Sequence, residues 1–247
     1  MMRKSAVYVG TRNLYKDMLP AVKSLLINSD VDDIYLLIED DYFPEYLPDC
    51  VKTINVSQQT HFRKNGPNYN LKWTYMTLMR AALTKVLPDV DIVLSMDDDV
   101  IAIRDMSDVW DLPIDGYYYS ASEEPLKSKG GRFYVCDLYT QMGVVLFNLK
   151  KLREDGKDDE VISLLNRKFY SIAEQDCMNL NCQGMIYPMP PEFNMCDYTR
   201  HEGIPKMVHY AALANWKMFN LVNHYRSVPW EEVERLHNEN LNRRSDI

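Results

Sequence analysis

Three consecutive aspartates, Asp97, Asp98 and Asp99, follow directly on the apolar run Ile92–Met96. A short apolar run bounded by acids is typical of a buried strand. Carboxylates gathered at one strand end repel one another, and a divalent cation with a preference for oxygen ligands, such as Mg²⁺ or Mn²⁺, relieves that repulsion. A solvated acidic turn that caps the next element explains the same residues equally well, so the triplet alone leaves both interpretations open.

Asp97 and Asp99 alternate along backbone that we expect to be extended, so their side chains point to the same side and both reach one cation at about 2.0–2.2 Å. Asp98 points to the other side. The chain has only nine glycines, which form neither G-x-G-x-x-G nor G-x-x-x-x-G-K-[ST]. A bound nucleotide would therefore be held through metal-bridged phosphate.

The first half of the chain alternates strand and helix patterns that would position these acids. Strands are predicted at 6–9, 34–38, 51–56 and 92–96, and helices at 14–27 and 71–87. This β-α-β-β-α-β order predicts an α/β fold with a mainly parallel sheet flanked by helices on both faces. In such sheets ligands bind beyond the carboxyl ends of the strands, where the triplet lies.

The second half is less regular. It predicts a strand at 143–148, a charged helix at 149–169, a short strand at 206–210 and a charged terminal helix at 231–243. Without repeats or a low-complexity linker, we expect a single Rossmann-like domain over 1–230 and a C-terminal helix or tail over 231–247.

Composition narrows the class of protein. The chain has 247 residues, and 46% of them are hydrophobic, so we expect a sizeable core. Its net charge of −8 argues against a general nucleic-acid binder. No apolar run reaches the roughly 18 residues of a membrane-spanning helix. Five scattered cysteines favour free thiols in a reducing cytoplasm. Aromatic residues interleaved with Lys217 and Arg226 also fit weak peripheral attachment to the inner face of a membrane, or simple packing on the domain.

Residues 93–100 resemble the D-x-D segment of glycosyltransferase family 8, whose members are retaining enzymes with a GT-A fold. Other segments resemble the family in its order, over roughly residues 6 to 217. They are 8–11 with Tyr15, Arg80 before the D-x-D strand, 106–110, 142–148, 174–179, 193–194 and 208–210.

The resemblance implies a metal site and a donor site. Asp99 and His209 would be the firmest metal ligands, with Asp97 shared between metal and ribose; alone, a histidine in such an apolar strand is more typical of a core residue. A nitrogen ligand beside carboxylates favours Mn²⁺ over Mg²⁺. Thr11 and Tyr15 would contact base and ribose. Asp98, if it has a role, would contact the ribose or lie behind the metal ligands.

The resemblance also assigns the chemistry. Gln175 and Glu174 would lie near the β face of the donor sugar, and Glu174 is alternatively a helix-start acid favoured by the dipole. Arg80 would neutralise phosphate or orient the acids, and is alternatively a surface ion pair. Retention proceeds by same-face substitution or by double displacement, and the sequence favours neither.

The chain departs from the family pattern at several positions. Arg12 stands where an acid usually accepts the uracil N–H, and an arginine has no acceptor. Gln141 and Met142 form a bulkier pair than usual beside the sugar. Lys217 is displaced from the position of the lysine that binds diphosphate in the family; either Lys217 still supplies that charge, or the diphosphate site is weaker.

The resulting hypothesis is a metal-dependent retaining hexosyltransferase that uses a nucleotide-diphosphate sugar, with UDP as the favoured nucleotide. Its acceptor would be a saccharide, a lipid-linked saccharide or a protein. The alternatives are a sugar-nucleotidyltransferase-like enzyme, for which the turn 10–13 is a poor glycine-rich loop, and a non-catalytic nucleotide-sugar binding module.

Overall fold

The computed structural model describes residues 3–71, 74–124, 136–196, 203–211, 213 and 215–245. Ten strands occur among them. They are β1 (Ser5–Val9), β2 (Asp33–Ile38), β3 (Val51–Asn55), β4 (Ile92–Met96), β5 (Val100–Ala102), β6 (Tyr119–Glu123), β7 (Thr140–Asn148), β8 (Ile186–Pro188), β9 (Met195–Cys196) and β10 (Met207–His209).

Seven strands form the central sheet, in the order β3-β2-β1-β4-β7-β6-β8. β3, β2, β1 and β4 run parallel, β7 is antiparallel to both β4 and β6, and β8 is parallel to β6. Tyr8 of β1 pairs with both Leu36 of β2 and Met96 of β4. Gly10 and Asp97 therefore leave the sheet at the same edge, and the predicted α/β sheet is confirmed.

Helices cover both faces of this sheet. They are α1 (Tyr15–Ile27), α2 (Thr74–Leu78), α3 (Leu83–Val86), α4 (Leu149–Glu154), α5 (Lys157–Arg167), α6 (Ala173–Asn181), α7 (Asn220–Ser227) and α8 (Trp230–Ser245). Val93 and Leu94 are neighbours on β4 but point to opposite faces, because side chains alternate along a strand. Leu94 packs in a core that includes residues of α1, α7 and α8, whereas Val93 packs with α2 to α6. The strand that carries the triplet is thus buried on both faces.

Two predicted helices are interrupted. Instead of one helix over 71–87, α2 and α3 are joined by a 3₁₀ turn, Met79–Ala82. Both helix types place apolar residues on one side every three or four positions, so the sequence pattern does not distinguish them. The predicted helix 149–169 divides at Gly156, whose φ of 64° is left-handed and ends α4.

A second sheet has three short strands, in the order β5-β10-β9. His209 on β10 pairs with Val100 of β5 in antiparallel fashion and with Cys196 of β9 in parallel. Because β5 begins directly after Asp99, this pairing brings His209 beside the end of the aspartate triplet.

The C-terminal helix α8 packs on α1. Val233 is fully buried, and the Asn240 side chain donates to the carbonyl oxygen of Ile27 at the end of α1, at 2.8 Å. Trp216 and Tyr225, aromatic residues next to Lys217 and Arg226 in the sequence, are also buried. Among the residues that the structure describes, no helix is both long and apolar enough to cross a bilayer.

Candidate active site

A cleft of about 500 Å³ opens beyond the carboxyl ends of β1 and β4. Its position follows from the sheet topology, because loops that leave parallel strands diverge at this edge. The lining includes the turn after β1, the start of α2, the aspartate triplet, the start of β7 and the start of α6. The side chains used below are Thr11, Arg80, Asp97, Asp98, Asp99, Gln141, Gly143, Glu174, Gln175 and His209.

Asp97, Asp99 and His209 converge in this cleft. Nε2 of His209 lies 3.2 Å from Oδ1 of Asp99 and 3.7 Å from Oδ2 of Asp97. The three groups offer ligand atoms that all lie within 4.8 Å of one another. His209 is only 1% exposed, whereas the two acids are partly open to the cleft. The structure therefore brings together the three predicted metal ligands.

The geometry of the three groups fits a divalent cation. Two ligands bound at right angles, each about 2.1 Å from an ion, lie about 3 Å apart, close to the distance between His209 and Asp99. Oδ1 of Asp99 is buried and, apart from the His209 ring at 3.2 Å, receives no hydrogen bond from any described residue, so a cation between the two groups would find a ligand there. Two carboxylates and one imidazole form a donor set that suits Mn²⁺ or Mg²⁺.

The protonation of His209 follows from the same neighbours. Burial would lower the pKa of the imidazole, but the hydrogen-bonding contact and negative charge of Asp99 outweigh it, so the pKa lies well above its usual value. Without a cation, the ring accepts a second proton and pairs with Asp99. A cation that binds Nε2 must displace that proton.

Arg80 lies inside the molecule, which excludes the surface ion pair considered from sequence. Its side chain is 7% exposed, and its guanidinium donates to a carboxylate oxygen of Asp97 and to the carbonyl oxygen of Met142. The other oxygen of Asp97 faces His209. Arg80 therefore orients one acid and supplies a fixed positive charge at the cleft wall.

Glu174 and Gln175 begin α6 beside this pair. Burial raises the pKa of Glu174 to about 7, although Arg80, whose Nη1 lies 4.0 Å from its Oε1, limits the rise. The Gln175 side chain accepts from the backbone N–H of Met142 and donates to the Tyr139 hydroxyl, both at 3.1 Å. Glu174 thus supplies a carboxyl that titrates near neutral pH, and Gln175 supplies an amide held in place by two hydrogen bonds.

Asp98 also lines the cleft but lies outside the ligand cluster. Burial, followed by the charges of Asp99 and Asp97, raises the pKa of its carboxyl to about 7. Its Oδ2 is buried and receives no hydrogen bond from any described residue. Near neutral pH this carboxyl has a substantial protonated fraction and can donate as well as accept.

A polar cluster joins the turn after β1 and the start of α2 to the residues that follow β2. Arg12 forms a two-pronged ion pair with Asp40, whose Oδ2 also accepts from the Tyr15 hydroxyl at 3.0 Å. Glu39 accepts from the backbone N–H of Arg12 at 3.1 Å and from the Tyr75 hydroxyl at 3.0 Å. Tyr15 and the Arg12 side chain are thus engaged with the end of β2.

Thr11 and Lys217 occupy different environments. Thr11 lines the cleft, and its hydroxyl donates to the side-chain oxygen of Asn13. Lys217 is not among the residues that line the cleft, and its ammonium pairs with Asp17 on α1. Their assigned roles, diphosphate binding by Lys217 among them, stay predictions.

Three residues at this site were not singled out as site residues from the sequence. Asn194 accepts from Nδ1 of His209 at 2.9 Å, Glu39 contacts the turn after β1, and Gly143 lies against the His209 ring. A Cβ atom on Gly143 would lie 2.1 Å from Cε1 of His209, so only glycine admits the ring there. Gly143 and Asn194 fell within segments that resemble the family, but nothing in the sequence indicated their contacts with His209.

Comparisons with known proteins agree with this architecture. A putative glycosyltransferase of Haemophilus influenzae is 23% identical over 126 residues, which cover 48% of this chain and 38% of that protein. Glycosyltransferase GlyE of Streptococcus pneumoniae is 24% identical over 260 residues, covering 93% of this chain and 60% of its own length. The chain thus spans about two-fifths and three-fifths of these relatives.

Solved structures share the fold. The crystal structure of GlyE superimposes with a TM-score of 0.71 at 19% identity, over 97% of this chain and 63% of that chain. The galactosyltransferase LgtC, crystallised with donor and acceptor sugar analogs, gives a TM-score of 0.68 at 17% identity, over 93% and 99% of the two chains. These neighbours confirm the GT-A fold. The family described as "Glycosyl transferase family 8" matches residues 46–218, well over half of the sequence. The chain therefore belongs to glycosyl transferase family 8.

Proposed function

We propose that the protein is a metal-dependent, retaining glycosyltransferase that transfers a hexose from a nucleotide-diphosphate sugar, with UDP as the nucleotide, to a saccharide, lipid-linked saccharide or protein acceptor. The observation that carries the proposal is the convergence of Asp97, Asp99 and His209 with Arg80 at one end of a cleft. Membership of a glycosyltransferase family supports glycosyl transfer as the reaction class.

Asp97, Asp99 and His209 would hold Mn²⁺ or Mg²⁺. When bound, the cation neutralises the diphosphate and stabilises the charge that grows on the leaving phosphate. Arg80 orients Asp97 by donating to one of its carboxylate oxygens, and the other oxygen faces His209. Because these groups are fixed before a donor arrives, little reorganisation accompanies the bond-breaking step.

Glu174 and Gln175 serve the donor sugar in this proposal. As its carboxyl is largely buried and titrates near pH 7, Glu174 either donates to or accepts from a sugar hydroxyl without a large free-energy cost. Gln175 is anchored at both ends of its amide, so it presents a fixed dipole to the sugar. The anomeric carbon gains positive character during transfer, and fixed dipoles around it stabilise that character.

Glu39 supports UDP as the donor nucleotide despite Arg12. A uracil N–H requires an acceptor, which the Arg12 side chain lacks. The Glu39 carboxylate accepts from the backbone N–H of Arg12 and from the hydroxyl of Tyr75. These two residues directly follow Thr11 and Thr74, which line the cleft. Each carboxylate oxygen accepts more than one hydrogen bond, so Glu39 retains capacity for an imide N–H.

Calorimetric titration with UDP in the presence and absence of Mn²⁺ tests the proposal. We expect binding that depends on the metal and that Asp99→Asn weakens strongly, while Asp111→Asn, at an exposed acid outside the cleft, leaves it unchanged. Hydrolysis of a panel of UDP-, GDP- and ADP-sugars then identifies the nucleotide. Metal-independent binding, or activity unaffected by Asp99→Asn, would remove the proposed metal site.

A non-catalytic nucleotide-sugar binding module is the second candidate. The observation that favours it is the pairing of Lys217 with Asp17, away from the residues that line the cleft. A protein that binds UDP-sugars with Mn²⁺ but neither hydrolyses nor transfers them, under any acceptor mixture tested, would favour the module over the enzyme.

A further inference from the structure

His209 is connected to the backbone of β7 by a chain of hydrogen bonds. Its Nδ1 lies 2.9 Å from Oδ1 of Asn194, and Nδ2 of Asn194 donates to Oε1 of Gln141 at 2.8 Å. The same Gln141 oxygen accepts from the backbone N–H of Gly143 at 2.8 Å. All four residues are buried, the three polar side chains with 1–9% exposure. Water therefore has little access to these bonds.

The backbone N–H of Gly143 determines the direction of every bond in this chain. A backbone N–H only donates, so the Gln141 atom that faces it must be the amide oxygen. That oxygen also faces the Asn194 amide, which must therefore present its NH₂ group. The Asn194 oxygen is then the atom that faces His209, and Nδ1 of the ring must carry a proton. The amide orientations are thus dictated by a fixed donor.

The remaining ring nitrogen faces the acids. With the proton fixed on Nδ1, a neutral His209 has its lone pair on Nε2, directed at Asp97 and Asp99. A lone pair facing two carboxylates is repulsive unless a cation lies between them. This tautomer is the one required of a metal-binding histidine, whose second nitrogen characteristically donates to a protein oxygen.

We infer that Gln141 and Asn194 are positioning residues that hold His209 in the Nδ1–H tautomer and thereby preorganise it as a metal ligand. The inference rests on the proposed function, because it concerns the same cation site. Sulfur Sγ of Cys196 also lies 3.6 Å from Nδ1, but a thiol is a weak acceptor and does not alter the direction set by Gly143.

The Gln141 amide has a definite orientation. Its oxygen is used by Gly143 and Asn194, so only its NH₂ group remains to face a ligand in the cleft. The long Gln141 side chain, noted from the sequence as bulkier than usual, thus also contacts the asparagine that faces His209.

The test compares two variants of Asn194 by the affinity for Mn²⁺, measured from the EPR signal of the free ion with and without UDP. Asn194→Leu has a similar size but no acceptor, and we expect a loss of about 10–100-fold. Asn194→Asp keeps an oxygen for Nδ1–H but loses the donor to Oε1 of Gln141, so we expect a smaller loss than in Asn194→Leu. Asn181→Leu, which removes an asparagine bond to the Cys177 carbonyl oxygen on α6, is the matched control and should not change it.

A second measurement reads the tautomer without reference to activity. Long-range ¹H–¹⁵N spectra of the Mg²⁺-loaded protein should show His209 protonated at Nδ1 in the wild type and a changed pattern in Asn194→Leu. Gln141→Leu should give a smaller affinity loss, because the Asn194 amide is freed rather than removed.

The outcomes separate the two proposals. A cooperatively folded Asn194→Leu protein that binds Mn²⁺ within twofold of wild type, or a wild-type ring protonated at Nε2 when Mg²⁺ is bound, overturns the positioning role alone. A wild-type protein that binds neither ion with UDP overturns the proposed function, and the positioning role with it. A selective affinity loss in Asn194→Leu that is smaller in Asn194→Asp supports the inference.

Discussion

Gly143→Ala should damage the metal site and the stability of the protein together. The added Cβ would lie 2.1 Å from Cε1 of His209, 2.8 Å from its Nδ1 and 2.9 Å from Oε1 of Gln141. Carbon atoms in contact normally lie about 3.5–4.0 Å apart, so the ring has to retreat by more than about 1 Å. The neighbours belong to strands and to a buried polar chain, and neither is the free end of a flexible side chain.

The magnitude follows from two contributions. Forcing an extra carbon into a packed interior typically costs about 1–3 kcal/mol. A retreat of the ring also stretches its bond to Asn194, and a buried donor without its partner costs about 1–3 kcal/mol. We therefore expect a loss of roughly 2–6 kcal/mol in the free energy of unfolding. Because metal–ligand distances tolerate only about 0.2 Å, Mn²⁺ affinity should fall by at least about 100-fold.

Urea denaturation and Mn²⁺ titration of the same preparations measure both effects. Gly116→Ala is the matched control, because no atom lies within 4 Å of its added Cβ. We expect that variant to remain within about 0.5 kcal/mol of wild type, with unchanged metal affinity. A Gly143→Ala protein with the wild-type midpoint and wild-type Mn²⁺ affinity would refute the close packing of His209 on Gly143 and the metal role of the ring.

Arg80→Met should lower the free energy of unfolding by about 3 kcal/mol in EDTA, because it leaves the Asp97 carboxylate without its buried partner. Saturating Mn²⁺ should restore part of that loss, and an equal loss of unfolding free energy with and without Mn²⁺ would contradict this. Glu174→Gln should change the pH dependence of stability. The folded-state pKa of Glu174, about 7, lies above its ordinary value of 4.5, so its contribution is present below pH 4.5 and lost as the pH rises to 7. Relative to wild type, Glu174→Gln should therefore gain up to about 3 kcal/mol over this range, measured by urea denaturation at several pH values; a constant difference would contradict the raised pKa. Glu39→Gln should weaken UDP binding roughly tenfold without weakening GDP binding, if its carboxylate accepts the uracil N–H, and equal effects on both nucleotides in calorimetry would argue against that role.

The sequence predicted the elements whose patterns are local. β4 has the predicted bounds, and α1 begins within one residue of its predicted start. Both have long apolar patterns, which burial of one or two faces imposes directly. The sequence did not predict the division at Gly156, because a left-handed φ depends on how the flanking helices pack. Strands of two or three residues, such as β9, carry too little pattern to be predicted.

At the candidate site, too, some features could be predicted from the sequence and others required the fold. The triplet was identifiable from its own residues, but His209 stands 110 positions after Asp99 and entered only through the family resemblance. The chain from Gly143 through Gln141 and Asn194 depends on three elements that meet only in the folded protein. Arg80 was predicted at the site, but its burial and its bond to Asp97 required the structure.

The three-stranded sheet of β5, β10 and β9 has a consequence for biosynthesis. It joins Val100 to His209, so the proposed cation site is complete only after synthesis has passed residue 209. A nascent chain that has made the parallel strands β1 to β4 already carries Asp97 and Asp99 but lacks the third ligand. Closing so long a loop is entropically costly, and a cation that joins Asp99 to His209 would act as a crosslink between early and late parts of the chain. Metal-dependent nucleotide binding would then begin only after nearly the whole domain has been translated.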